Sequence, residues 1–159
     1  MTLEHWFLML TAIATFLAAF AAAAAWATAK ASRGTLVANL YDDYWSGEYL
    51  SAARKIREWE KKHGSNHASV FGELHRRDPK LSPEERREFD EVNTARRKVK
   101  EYFRRAQQLY FGGYLTKRDI TELLCPSHRV ELLLEVVKKF EPELNPNYPF
   151  EMYDFYRRL

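Results

Sequence analysis

Residues 6–29 read WFLMLTAIATFLAAFAAAAAWATA, 24 residues without a charged side chain and bracketed by Trp6 and Trp26. At a helical rise of about 1.5 Å per residue, the steps between the two indoles cover roughly 30 Å, the thickness of a bilayer's hydrocarbon core. That spacing sets one amphipathic ring at each interface, so Trp6 and Trp26 are the expected membrane anchors of a transmembrane helix over 6–29, after a short tail over 1–5. A cleaved secretory signal is the competing reading. It needs a basic n-region, a shorter apolar core and a small-x-small cleavage site. Ala27-Thr28-Ala29 supplies the last of these, whereas Met1 to His5 holds Glu4 and no Lys or Arg. A buried core helix is the third reading of the same stretch.

Lys30 and Arg33 follow the span and no Lys or Arg precedes it, so the positive-inside rule orients the carboxy-terminal domain to the cytoplasm. The single Cys125 agrees, because a lone thiol builds no disulfide framework and suits a reducing compartment. Within the span, bulky residues from Phe7 to Phe20 give way to an alanine run over 21–25. Ala14, Ala18 and Ala22 make a small-xxx-small stripe, the expected helix-packing face for a protein partner or a second copy. The plainer reading is that alanine is an excellent helix former.

Taken whole, the chain is 14% aromatic and 30% charged with net charge +3, a composition that argues against disorder. Periodicity is helical almost throughout, with no alternating strand pattern, and the expected fold class is all-α. Leu36, Val37, Leu40, Tyr41 and Tyr44 mark a juxtamembrane helix over 30–47, and a helical bundle domain of four to six helices is expected over 48–159. Its second helix runs from about Glu48 to His63 and stops at Gly64. Ser82-Pro83-Glu84-Glu85 is the strongest helix start, combining a cap, a first-turn proline and a capping-box glutamate. From there a central helix runs to Phe111 with Phe89, Val92, Ala95, Val99, Phe103, Ala106 and Tyr110 on its apolar arc. Thr116 opens a short helix through Leu124, Ser127 caps the next, and Val130, Leu133, Leu134, Val137 and Phe140 form that helix's stripe. The aromatic segment from Phe150 to Tyr156 packs back onto the bundle.

Motifs that carry chemistry are sparse. His63 and His67 have the i, i+4 spacing of a zinc pair, but Gly64-Ser65-Asn66 between them favours a turn and no metalloprotease glutamate accompanies them. Asp42 and Asp43 diverge by about 100° on a helix and share no site. Cys125 has no histidine closer than His128, and phosphate loops, nucleophile elbows and kinase elements are missing from the pattern. Neither a catalytic residue, a cofactor nor a metal is therefore expected, and the chain reads as a non-enzyme.

The basic residues stand out more. On the central helix Arg86, Arg97, Lys100 and Arg104 project opposite the apolar arc, a basic surface able to meet anionic lipid, nucleic acid or an acidic partner. Part of this is helix-dipole complementarity. Residues 84–91 hold five acids and two arginines, whereas residues 96–105 hold six bases and one acid. Nucleic acid ranks last among these partners because no groove-reading motif accompanies the charge. Arg96, on the flank of the arc, is placed to lay its methylenes on the core and to pair with a carboxylate of a neighbouring helix.

The stretch Tyr44-Trp45-Ser46-Gly47-Glu48-Tyr49-Leu50-Ser51-Ala52-Ala53, the central Ala95-Arg96-Arg97-Lys98-Val99 with Tyr102-Phe103, and the later Gly113-Tyr114-Leu115 and Leu123-Leu124 follow the span in order. In that order of features the chain resembles a family of bacterial single-pass, membrane-anchored helical proteins. The resemblance implies the architecture and an inner-membrane location, and it implies no activity. The expected role is a membrane-tethered interaction module or accessory subunit of a larger membrane assembly; the alternative is a peripheral reader of anionic lipid or nucleic acid through the basic helix face.

Overall fold

A computed structural model of the chain describes residues 3–124 and 129–158. Cys125, Ser127 and His128, and the side chains of Leu123, Leu124 and Val130, lie outside the described residues. The described secondary structure is helical throughout: α1 Leu3–Trp45, α2 Gly47–His63, α3 His67–Arg77, α4 Pro83–Phe111, α5 Lys117–Leu124, α6 Arg129–Leu144 and α7 Glu151–Arg157, with single 3-10 turns over Gly64–Asn66 and Asp78–Lys80. The chain divides into two compact units, residues 1–38 and residues 39–159.

The apolar segment and the residues that follow it to Trp45 belong to one uninterrupted α-helix, with no break at Ala29-Lys30. This is the one described helix long and apolar enough to cross a membrane, and its most apolar window is wholly uncovered by protein. Thr11, Thr15 and Thr28 return their hydroxyls to the carbonyls of Phe7, Thr11 and Ala24, which hides the polar atoms of the segment within the helix itself.

The second unit is built on the pairing of α2 with α4 and of α3 with α6; α2 also packs on α6, and α7 closes over α4 and α6. Ser46 makes the first corner. Its hydroxyl donates to Asp43 O at 2.6 Å, ending α1, and accepts from Tyr49 N at 3.2 Å, capping α2. Gly64 turns at φ +57°, and across that turn Trp59 Nε1 donates to His67 O at 2.9 Å, fastening α2 to α3. The capping box at Ser82 and Glu85 forms as its sequence predicts, with both reciprocal bonds present. At the other end of α4, Gly113 takes φ +75° while Tyr114 N donates to Leu109 O at 2.9 Å, a Schellman-type stop that a Cβ at position 113 would strain.

The predicted arc of α4 is the core. Phe89, Val92, Ala95, Val99, Phe103 and Ala106 are buried, Tyr110 is half-buried, and Arg96 and Tyr102 join them. Opposite lie Ile56 and Trp59 of α2, Phe71 of α3, Val137 and Phe140 of α6, and Tyr153 and Tyr156 of α7.

Gly72 of α3 packs against Glu143 of α6. A Cβ there would meet Glu143 Oε2 at 2.2 Å and Glu143 Cβ at 2.9 Å. Gly72→Ala gains about 1 kcal/mol of helix propensity, but overpacking of about 1–3 kcal/mol opposes it. The clash includes Glu143 Cβ, which a rotamer change cannot move, so the expected outcome is a lower Tm in thermal melting of the purified chain.

Candidate functional site

The densest polar chemistry of the domain sits where α4, α6 and α7 meet. Glu141 is 2% exposed on α6, one residue before Pro142, on the same face as Leu134 and Val137. Arg96, 4% exposed on α4, donates from Nη1 to Glu141 Oε1 at 2.5 Å, and its Nε and Nη2 donate to Asn93 Oδ1 at 3.2 and 3.0 Å. Lys100, one turn further along α4, donates to Glu141 Oε2 at 3.1 Å, and the Tyr153 hydroxyl donates to Oε1 at 3.3 Å. Both oxygens of the buried carboxylate are thereby hydrogen-bonded, which is the condition for such a pair to persist in a core. Two cations divide one anion here.

Burial pushes the Lys100 ammonium below the usual lysine range; Glu141 opposes that shift, while the like charges of Arg96 and Arg104 add to it. The Tyr153 phenol is pushed up, first by burial and then by Glu141, so it stays protonated and serves as a donor. The Tyr148 ring lies 4.8 Å from Lys100 Nζ, a cation–π contact at the edge of the cluster.

The four residues predicted as a basic surface do not share one environment. Arg97, Lys100 and Arg104 line a common depression of about 500 Å³ on α4 with Glu101, Arg105 and Gln108. Arg86 lies elsewhere: it pairs with Asp78 Oδ1 at 3.0 Å, donates to the Asp78 carbonyl, and edges the groove between α2 and α4. Lys100 is tied inward to Glu141 and is only about 20% exposed, whereas Arg97 and Arg104 are exposed and hold no carboxylate among the described residues.

The α2–α4 groove is the larger concavity, about 860 Å³, with Ala52 and Ala95 on its floor. Two ion pairs cross it, Lys98 to Glu48 at 2.8 Å and Lys55 to Glu91 at 2.7 Å, and Lys62 with Glu88 extends the series along the same seam. Hydrogen bonding to the opposite lysine holds Glu48 and Glu91 below the usual carboxylate range. Exposed pairs of this kind set helix register more than they stabilise.

His63 and His67 are brought to the α2–α3 corner. His67 is 1% exposed with Nδ1 2.9 Å from Gly64 O, and the Nε2 atoms of both rings lack a hydrogen-bond partner among the described residues. Burial, then the Lys62 charge, lowers the His63 pKa. Among the described residues no group of three or more His, Cys, Asp or Glu is placed to hold a metal ion.

Trp6 and Trp26 are 53% and 68% exposed on α1, and Ala14, Ala18 and Ala22 are exposed along the same helix. Sequence reasoning placed Arg96 correctly beside a carboxylate and missed which one. The available signal was Glu141 itself, a charge in register with an apolar stripe. No family model, no curated protein and no solved structure matches the chain, so its functional reading rests on its own residues.

Proposed function

We propose that this chain is a membrane-tethered, non-enzymatic interaction module or accessory subunit of a larger membrane assembly, crossing the bilayer once with its carboxy-terminal domain in the cytoplasm. The observation that carries the reading is the uncovered apolar length of α1. From Trp6 to Trp26, large residues such as Phe16, Leu17 and Phe20 are 61–73% exposed, far more contiguous apolar surface than a domain leaves in water. Lipid covers such a surface without further protein. The cations at Lys30 and Arg33 support the sidedness. In this reading the span localises the domain, and the stripe Ala14, Ala18 and Ala22 holds a partner helix or a second copy.

The test is co-purification of the tagged chain from membranes in mild detergent. Ala14, Ala18 and Ala22 changed together to Leu are expected to lose the bound partner or the second copy. Arg97 and Arg104 changed together to Glu are expected to keep it; Lys100 is left unchanged because its reversal would set an acid beside Glu141. Loss of the partner only in the charge-reversal variant would overturn the proposal.

A further inference from the structure

We propose that the depression on α4 formed by Arg97, Lys100 and Arg104 is a binding site for a phosphate-bearing anion. The inference is independent of how the chain is anchored. It starts from an imbalance of charge. Many exposed cations of the domain lie against carboxylates, among them Lys55 on Glu91, Lys62 on Glu88, Arg76 on Glu143, Arg77 on Glu85, Arg86 on Asp78 and Lys98 on Glu48, while scattered ones such as Lys61, Lys80 and Lys139 hold no ion pair among the described residues. Between Arg96 and Arg105 there are six bases and only Glu101 as an acid. Of those bases, Arg105 turns away to Asp43 at 2.7 Å, and Arg96 and Lys100 share Glu141. Arg97 and Arg104 are left, two turns apart on one helix face, with no ion pair among the described residues.

The shape of the site fits the charge. Positions 97, 100 and 104 recur at helical spacing, so all three side chains line one concavity of about 500 Å³, which Arg105, Gln108 and a single acid, Glu101, also line. Two guanidinium forks match the tetrahedral oxygens of a phosphate, and Lys100 supplies a point charge between them. Lys100 cannot swing freely, because Glu141 holds its ammonium and the Tyr148 ring lies over it. Burial first, and the like charges of Arg96 and Arg104 after it, hold its pKa below the usual lysine range.

A free phosphate compound and a phosphomonoester lipid headgroup share this chemistry, and the test separates them. The full-length chain is melted in uncharged detergent micelles with inorganic pyrophosphate, with sodium chloride at matched ionic strength, and in micelles doped with phosphatidic acid or with phosphatidylcholine. Pyrophosphate at a hundredfold excess over its Kd is expected to raise Tm by roughly 5–10 °C beyond matched salt. Arg97→Gln with Arg104→Gln is expected to keep the unliganded Tm, since neither side chain holds an ion pair among the described residues, and to weaken binding more than tenfold. Lys61→Gln with Lys139→Gln, which removes the same charge from other exposed positions, is expected to bind as the parent does. A response to phosphatidic acid alone assigns the site to a headgroup; a response to both assigns it to the phosphate group itself. No shift beyond matched salt in either arm, or an equal shift in the Arg97 and Arg104 variant, would overturn the proposal.

Discussion

Glu141→Ala is expected to destabilise the domain by about 3–5 kcal/mol, because it strands Arg96 in the core without its counter-charge. Arg96 is only 4% exposed, and its remaining partner, Asn93 Oδ1, is neutral. Lys100 loses its carboxylate as well but is partly exposed and can turn outward. The double variant Arg96→Met with Glu141→Leu removes both charges together and is expected to cost less than Glu141→Ala alone. Denaturant unfolding of the purified chain, followed by the fluorescence of the buried Trp59, measures both. A single variant as stable as the parent would mean that the cluster is hydrated and its carboxylate unnecessary.

Phe103→Ala is the second large effect, about 3–5 kcal/mol for a fully buried aromatic replaced by a methyl group. Phe103 is 0% exposed and sits among Tyr49, Tyr102 and Tyr156, with ring centroids 6.2, 5.3 and 5.1 Å away. These neighbours come from α2, α4 and α7, and the Tyr156 hydroxyl also donates to Phe103 O at 2.5 Å. The cavity would therefore open at the junction of three helices, where no one side chain can relax into it. A lowered denaturation midpoint with an unchanged slope is the expected signature.

The helices were legible in the chain wherever local rules act alone. The capping box at Ser82 and Glu85, the stop at Gly112-Gly113, and the apolar arc of α4 follow from capping chemistry and a 3.6-residue period, and each is in place. The continuation of the apolar segment into a juxtamembrane helix ending near Ser46-Gly47 was legible too, because Leu36, Val37, Leu40, Tyr41 and Tyr44 keep helical spacing, and a change from apolar to polar composition does not end a helix. The polar cluster was half legible. Arg96 betrays itself by standing on the edge of an apolar arc, but its partner is 45 residues away along the chain, and that distance is closed only by tertiary packing. Lys100 looked like any outward-facing lysine of a basic stripe; its contact with Glu141 depends on where α6 lies. For the same reason Arg86 reads from sequence as a companion of Arg97 and Arg104, whereas Asp78, in the 3-10 turn just before α4, claims it.

The tether is the centre of the account, and alkaline carbonate extraction of membranes expressing the full-length chain, with the intact mass of the recovered protein, tests it most directly. The account predicts that the chain stays in the membrane pellet at full-length mass with its amino-terminal segment retained. Release into the supernatant, or a soluble product beginning at Lys30, would contradict it.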